Sequence, residues 1–482
     1  VVTPDPIDPQ AEPVAPRRSR EVRGDRHMSD VEAMMWLVDT DPHLSSTFGS
    51  LTILDLVPDL ERLRRRMQLT AARVPRLRQR VVPVFGRLAT PRWEDDADFS
   101  IERHVVRRTL PAPGDLRQLY DFATDLVQSP FDRDRPLWEF VIVDGLADGR
   151  SALVQKMHHT ITDGEGGIRI SEQFIDVVRD APDVVVAEVP ASPPEPELEG
   201  VEAVRDALAS SWRRNSGLAT RVASNAEDLV RHPTKLGSAG LDMVETVRSV
   251  VRQVTVVDHA HSPVWTRRTM ARRLETLDVP FDDVRDTAKA LGGSINDVFV
   301  TAVAAAAGAF HDAVGLPVDT LRMAMPVSTR TDATAGGNSF VPTRVLLPTS
   351  DLDPVTRFED VHEILHKTKA ERVITVVEPM AGLANLLPTS VVVRAARRQV
   401  QTVDFTTSNV RAAPFELFVS GARLEATYAL GPLGGTAFNA TMMSYCGQMN
   451  IGLHMDADAV GDPQLLRACV LEAFAELFAA AR

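Results

Sequence analysis

The stretch Lys156-Met157-His158-His159-Thr160-Ile161-Thr162-Asp163-Gly164 sets two imidazoles, a carboxylate and a glycine in the pattern His-His-x-x-x-Asp-Gly. A neutral imidazole accepts a proton from a hydroxyl, amine or thiol near neutral pH. A base held in position in this way is worth roughly 10²–10⁴-fold in rate. A carboxylate past the turn can fix the loop or hold a ring through a network, and Gly164 brings backbone freedom. A lone His at a strand end would read as a polar surface residue; the complete pattern at a strand–turn–helix junction favours chemistry.

The neighbours supply that junction. Trp138 to Asp144 (WEFVIVD) and Ser151 to Met157 (SALVQKM) are β-rich runs separated by a loop ending in Asp148-Gly149, a hairpin signal. From Gly164 to Gly167 a helix-like run opens, in which Ile168, Ile170, Ile175 and Val178 recur near helical spacing. Adjacent side chains in a strand point to opposite faces, so only one of the two His can face a given cavity.

A chain of 482 residues exceeds one ordinary core, and two domains are expected. Apolar content of 44% with 25% charged residues is globular. A net charge of −13 argues against nucleic acid as a partner. Cys446 and Cys469 stand alone without a CxxC pair, which fits a reduced, cytoplasmic setting with no disulfide framework or thiolate metal site. No segment reads as a secretory signal or a clean membrane span. Glu378, Pro379 and Pro388 interrupt the nearest candidate, Val373 to Val393, which reads as a buried loop and helix.

Residues 1–27 are Pro-, Asp- and Arg-rich without apolar periodicity and are expected to be a disordered extension. An N-terminal domain is expected over 28–180, a linker and helical connector over 181–265, and a C-terminal domain over 266–482. Pro182, Pro190, Pro193, Pro194 and Pro196 mark the linker. Helices are expected over Met28–Trp36, Asp59–Arg73, Gly114–Ser129, from Pro280, from Ser294 to about His311, over Asp353–Arg372 and from Pro463 onward. Strands are expected over Thr47–Leu56, Arg76–Val84, Arg92–Phe99, Arg268–Val279, Leu321–Val327, Thr343–Leu347, Asp404–Val410, Phe415–Val419 and Met449–Met455. These mix without a βαβ rhythm or a sequence repeat.

Other constellations compete with the His pair. His362-Glu363-Ile364-Leu365-His366 is a formal HExxH, whose two His would share a helix face as zinc binding requires. Its extended form fails at Lys369 and Arg372, and Phe358, Val361 and Leu365 give that helix an ordinary core stripe, so no metal is assigned. No GxSxG elbow, activated Cys or Gly-rich phosphate cradle is present.

His158-His159-x-x-x-Asp163-Gly164 resembles the HHxxxDG motif of CoA-dependent acyltransferases, shared with peptide-synthetase condensation domains. The surrounding segments PRLRQRVV, PRWEDDADF and PLWE narrow the resemblance to the bacterial wax ester synthase/diacylglycerol acyltransferase family. Ser294-Ile295-Asn296-Asp297-Val298, Pro326-Val327-Ser328-Thr329-Arg330, Gly337-Asn338-Ser339-Phe340, Gly431-Pro432 and Ser444-Tyr445-Cys446-Gly447 are similar to further family segments. The resemblance spans about residues 28–480. It implies an α/β (mixed α+β) fold of two chloramphenicol-acetyltransferase-like mixed-sheet domains with helices packed on them and a tunnel between.

The activity so implied is O-acyl transfer from acyl-CoA to a long-chain alcohol or diacylglycerol. Acyl-CoA is then a substrate and no cofactor is required. The family uses the second His, so His159 is the expected base, supported by His158, Asp163 and Gly164. Asn296 is a candidate donor to the reacting carbonyl, whereas Asp297 fits helix capping. Arg330 is a candidate bidentate partner for Asp163, with a solvated loop Arg as the alternative. Trp138 is either an acceptor-site or a core aromatic.

Ser408-Asn409-Val410 begins the family's SNVPGP, but Arg411-Ala412-Ala413-Pro414 follows here. Losing the Pro-Gly-Pro turn should alter the tunnel wall and leaves room for a polyketide, sugar or amine acceptor. A non-catalytic lipid-binding protein of the same fold is a further alternative. A lipid acceptor would bring the chain to a membrane or lipid-inclusion surface. Sequence leaves its oligomeric state open.

Overall fold

In this computed structural model residues 26–84, 89–183, 260–328, 340–350, 352–370 and 389–482 are described. The first half runs α1 (Asp30–Val38), β1 (Thr47–Leu54), α2 (Leu60–Arg73), β2 (Gln79–Val82), β3 (Arg92–Asp95), α3 (Ile101–His104) and β4 (Val105–Thr109). It continues through α4 (Leu116–Gln128), β5 (Trp138–Asp144), β6 (Ser151–His158), α5 (Gly164–Ser171) and β7 (Ile175–Asp176). The second half opens with β8 (Arg272–Pro280), α6 (Phe281–Ala290), α7 (Ile295–Ala313), β9 (Thr320–Ser328), β10 (Phe340–Pro348), α8 (Pro354–Ala370) and α9 (Thr389–Val400). It closes with β11 (Phe405–Arg411), β12 (Phe418–Val419), β13 (Ala422–Leu430), β14 (Phe438–Tyr445), β15 (Gln448–Asp456), α10 (Ala457–Val460) and α11 (Pro463–Ala480).

Local chemistry sets the helix starts. Ser29 and Glu32 form a capping box on α1, as do Asp115 and Gln118 on α4 and Ser294 and Asp297 on α7. Asp462 caps α11, where Pro463 takes a first-turn position that needs no N–H. In α4 the buried Leu119, Ala123 and Val127 recur every fourth residue and form one apolar stripe. Helix α7 is apolar nearly all round, and most of it is buried at the centre of the second half's core.

Both large sheets are mixed. The first has the order β4-β5-β6-β1-β13-β12-β7 and the second β10-β9-β11-β14-β15-β8. Strands β5 and β6 are covered on both faces, which explains their continuous apolar sequences. Phe140, Ile142, Leu153 and Met157 enter one core, while Val141, Val143, Ala152 and Val154 meet α4 on the other side.

The two halves are sewn together by β13. This strand from the second half pairs antiparallel with β1 of the first, Leu51 opposite Tyr428. It also lies against β15: His454 Nδ1 is 2.8 Å from the Gly431 carbonyl, and Thr427 N–H donates to Asn450 at 3.3 Å. Helix α4 adds a second clasp on β8. Arg117 reaches Glu275 at 2.8 Å, and the Tyr120 and Thr276 hydroxyls are 2.9 Å apart.

Several expectations shift. The helix after Asp163 ends at Ser171; Ile175 instead joins β7, pairing with Val419, and Val178 is exposed. Edge pairing with β12 overrides the apparent helical period there. Pro280 closes β8 and caps α6 rather than opening it. Strand β12 is only two residues long, and Phe415 is exposed. Strands β4, β13 and β14 lie where no strand was expected. Arg26 and His27, placed by sequence in the extension, pair with β3: Trp93 N–H donates to the Arg26 carbonyl at 2.7 Å, and His27 bridges to Arg92. The proline-rich linker beyond residue 183, the connector up to residue 259 and the segment 373–388 lie outside the described residues. Among the described residues no single helix is long and apolar enough to cross a membrane.

The seam yields a stability test. A Cβ on Gly452 of β15 would stand 2.2 Å from the Ala429 backbone oxygen of β13, and backbone cannot swing aside. Overpacking of this kind costs roughly 1–3 kcal/mol. Gly452→Ala should therefore lower the melting temperature, measured by differential scanning calorimetry; unchanged melting would contradict so close an approach.

Candidate active site

The end of β6 is fixed from both sides. His158 pairs opposite Thr47 of β1, and its N–H donates to the Leu137 carbonyl at 3.0 Å. One residue further the ladder still holds, with His159 N–H donating to the Ser46 carbonyl at 3.0 Å. The chain then turns, with Ile161 N–H donating to the His158 carbonyl at 2.9 Å. Asp163 stops the turn by capping α5, accepting from Gly166 N–H at 2.8 Å. A Cβ at Gly166 would meet Thr162 Oγ1 at 1.8 Å, so any larger residue there would force that hydroxyl to move. Gly164 does not use a left-handed conformation; its missing side chain leaves space beside Val410, whose Cγ2 would lie 3.4 Å from a Cβ.

The two imidazoles have opposite environments. His158 is buried, between the edges of Trp36 and Phe131. Thr160 N–H donates to its Nδ1 at 3.1 Å, and the Thr160 hydroxyl is 2.7 Å from the same nitrogen. An amide N–H can only donate, so Nδ1 holds a lone pair and the ring proton sits on Nε2. That nitrogen faces Asp39 Oδ1 at 3.4 Å. Burial alone would raise the Asp39 carboxyl, but His158 and the Ser46 amide outweigh it and hold it below its usual range.

His159 keeps accessible surface although protein surrounds it deeply, and its ring lies 4.5 Å from that of Phe48. Burial lowers its pKa to about 4; His158 adds to the shift, while the Asp163 charge and a hydrogen bond with the Thr162 backbone oppose it. The ring is neutral at physiological pH. Lys156 is buried on the His158 side of β6, donating to the Ser129 carbonyl and hydroxyl at 2.8 Å each. Burial lowers its pKa to about 8, which Glu139 partly offsets.

His158, His159, Asp163 and Gly164 therefore form one unit. Strand β11, with Ser408 and Asn409, packs against α5 and touches Gly164 through Val410. Asp297 instead belongs to the helical layer of the second half. Its carboxylate accepts from Ser294 N–H at 2.7 Å and lies 2.9 Å from His362 Nδ1. Asn296 is partly exposed in the same first turn of α7. Trp138 is a core residue, its indole N–H donating to the Leu77 carbonyl at 2.7 Å and its ring stacked on His104. Arg330 and the segment 337–339 lie outside the described residues.

The HExxH pattern does not assemble as a ligand set, because His362 faces Asp297 and Glu363 pairs with Lys367 at 2.5 Å. Among the described residues no group of three His, Cys, Asp or Glu could hold a metal ion. Sequence reasoning missed Asp39, Ser46, Phe48 and Thr160. Asp39 lies far from the motif in sequence, and nothing in its own segment marks it.

Residues 28–299 match the wax ester synthase/diacylglycerol acyltransferase catalytic domain, and residues 336–478 match the C-terminal domain of that family. The chain is 32% identical over 462 residues to a Mycobacterium tuberculosis protein named as a diacylglycerol O-acyltransferase, covering 94% of this chain and 92% of that one. A second protein so named from the same organism is 28% identical over 490 residues, covering 95% and 98%. The wax ester synthase/diacylglycerol acyltransferase of Marinobacter aquaeolei VT8 shares the fold, with a TM-score of 0.62 at 21% identity, covering 94% and 99%. So does the first condensation domain of the calcium-dependent antibiotic synthetase, with a TM-score of 0.55 at 16% identity, covering 95% and 97%.

Fold and relatives together define an acyltransferase. The chain belongs to the wax ester synthase/diacylglycerol acyltransferase family.

The cap on α5 can be tested apart from catalysis. Asp163→Ala removes the acceptor for Gly166 N–H and should cost about 0.5–2 kcal/mol. Asp163→Asn keeps an acceptor and should melt close to the wild type. Equal melting of all three proteins would reject the capping role.

Proposed function

We propose that this enzyme moves a fatty acyl group from acyl-CoA directly to the hydroxyl of a long-chain alcohol or diacylglycerol, with His159 as general base. The observation that carries this reading is the division between the two rings. His158 has its lone pair engaged by an amide and its proton turned to Asp39, whereas His159 is neutral and keeps accessible surface. The relatives named as diacylglycerol O-acyltransferases support the acceptor class.

The step balances simply. His159 takes the hydroxyl proton as the acceptor oxygen bonds to the thioester carbonyl carbon. The tetrahedral intermediate then expels the CoA thiolate, which receives the proton back from His159. No acyl-enzyme forms, so both substrates are held together and orientation supplies part of the rate. Asn296 donates to the carbonyl oxygen in this scheme, a type of contact worth roughly 10²–10³ in turnover. A tunnel between the halves carries the two chains, and the lipid acceptor draws the enzyme to a lipid surface.

A more polar acceptor is the second reading. It is favoured by Arg411, exposed at the end of the strand whose Val410 adjoins Gly164. Product analysis after incubation with labelled palmitoyl-CoA and a pool of long-chain alcohols, diacylglycerols, sugars and amines separates the two. Wax ester or triacylglycerol is expected; an amide or a sugar ester as the main product would replace the first reading by the second.

His159→Ala should lower acyl transfer by about 10²–10⁴-fold, and near-wild-type transfer would reject the base. The pH dependence gives an independent check. A lowered imidazole pKa keeps the proton-accepting form populated as pH falls, until about 4. The acid limb of kcat/KM should accordingly lie well below the ordinary imidazole value of about 6.5. An acid limb at that ordinary value would contradict the environment assigned to His159.

A further inference from the structure

Asp39 stands at the C-cap of α1, its N–H donating to the Met35 carbonyl at 3.1 Å. A helix C-terminus presents unpaired carbonyl oxygens and disfavours a nearby negative charge. Helix stability therefore gives no reason for a carboxylate here. Arg133 eases the conflict: it donates to the Trp36 carbonyl at 2.7 Å and lies 3.6 Å over the Trp36 ring.

What the carboxylate does hold is the end of β6, by two routes. Oδ1 accepts from Ser46 N–H at 3.1 Å, and the carbonyl of Ser46 accepts the N–H of His159 at 3.0 Å. The same oxygen faces His158 Nε2 at 3.4 Å, while Thr160, within the motif, holds the other side of that ring. One side chain from a different element thus grips the segments that carry both imidazoles.

Resting on the assignment of His159 as base, we propose that Asp39 is a positioning residue for acyl transfer. It sets the His159 ring through the Ser46 peptide and through His158, and it touches neither substrate. Because Ser46 extends the β1–β6 ladder one residue past His158, loosening it tilts the backbone from which the His159 ring projects. A base misplaced by about 1 Å can cost about 10²-fold in rate without any loss of substrate binding. Asp39→Asn keeps an oxygen acceptor for Ser46 and should preserve most of the geometry; Asp39→Ala and Asp39→Ser cannot reach both partners.

The test measures thiol release from palmitoyl-CoA with a long-chain alcohol, together with melting temperature, for each variant in wild-type and His159→Ala backgrounds. The expected result for Asp39→Ala is a kcat loss of about 10²-fold with KM for palmitoyl-CoA little changed. Asp39→Asn should recover most of the rate. In the His159→Ala background Asp39→Ala should cost nothing further, because it acts through that ring. A residue that only stabilised the fold would lower the residual rate in both backgrounds. If Asp39→Ala does not fold, Asp39→Ser serves the same comparison. An inactive His159→Ala with a folded Asp39→Ala or Asp39→Ser inside about two-fold of wild-type kcat overturns the positioning role alone. An equal further loss in the His159→Ala background also overturns it. An active His159→Ala removes the base assignment itself.

Discussion

A β-strand turns successive side chains to opposite sides, and at the end of β6 this rule acts on two identical residues. Lys156 and His158 point toward Ser129 and Phe131, whereas His159 turns to Phe48. One ring becomes part of the packing, and the other belongs to a residue that keeps accessible surface. A slip of one residue in the pairing of β6 would exchange them. The register is therefore the constraint on which the chemistry depends. It is held by β1 and β5 on either side and by Asp163, which ends the strand segment by starting a helix. The Thr160 amide then makes the division chemical by occupying the lone pair of the inward ring.

This register is not secured by the first half alone. Strand β1, the partner of β6, is flanked on its other edge by β13, contributed by residues 422–430. The strand that steadies the His motif is thus itself steadied by the second half. Helix α4 repeats the arrangement by packing on β1 and β6 and bonding to β8 through Arg117 and Tyr120. Strand β11 brings Ser408, Asn409 and Val410 to the start of α5. The His pair and the residues facing it are assembled from distant parts of the chain, in keeping with family matches that extend over both halves.

Much of this was legible in the sequence where local pattern and environment agree. The apolar runs of β5 and β6, the cap at Ser294 to Asp297 and the apolar helix α7 that follows it could be read directly. Strand β13 could have been read too: Ala422, Leu424, Ala426, Tyr428 and Leu430 alternate with period two. Strand β4 hid because three of its five residues, Arg107 to Thr109, are exposed on a sheet edge. At the site the motif itself was visible, but the partners that separate its two rings were not. Asp39 and Ser46 carry no signal of their own and matter only through a pairing that the folded chain creates. For Trp138 the sequence left two roles open, and the stacked His104 and the Leu77 carbonyl supply a packing role.

Acyl transfer by this motif requires that one of two adjacent imidazoles be both reachable and neutral. Carbethoxylation by diethyl pyrocarbonate, followed residue by residue with peptide mass spectrometry, reads both properties at once, because only an accessible, unprotonated imidazole reacts. His159 should be labelled while His158 is protected. The His159 rate should stay nearly constant from neutral pH to about pH 5, where an ordinary imidazole would be mostly charged. Labelling of His158 as fast as His159, or a His159 rate that falls along the ordinary imidazole curve, would contradict this division between the two rings.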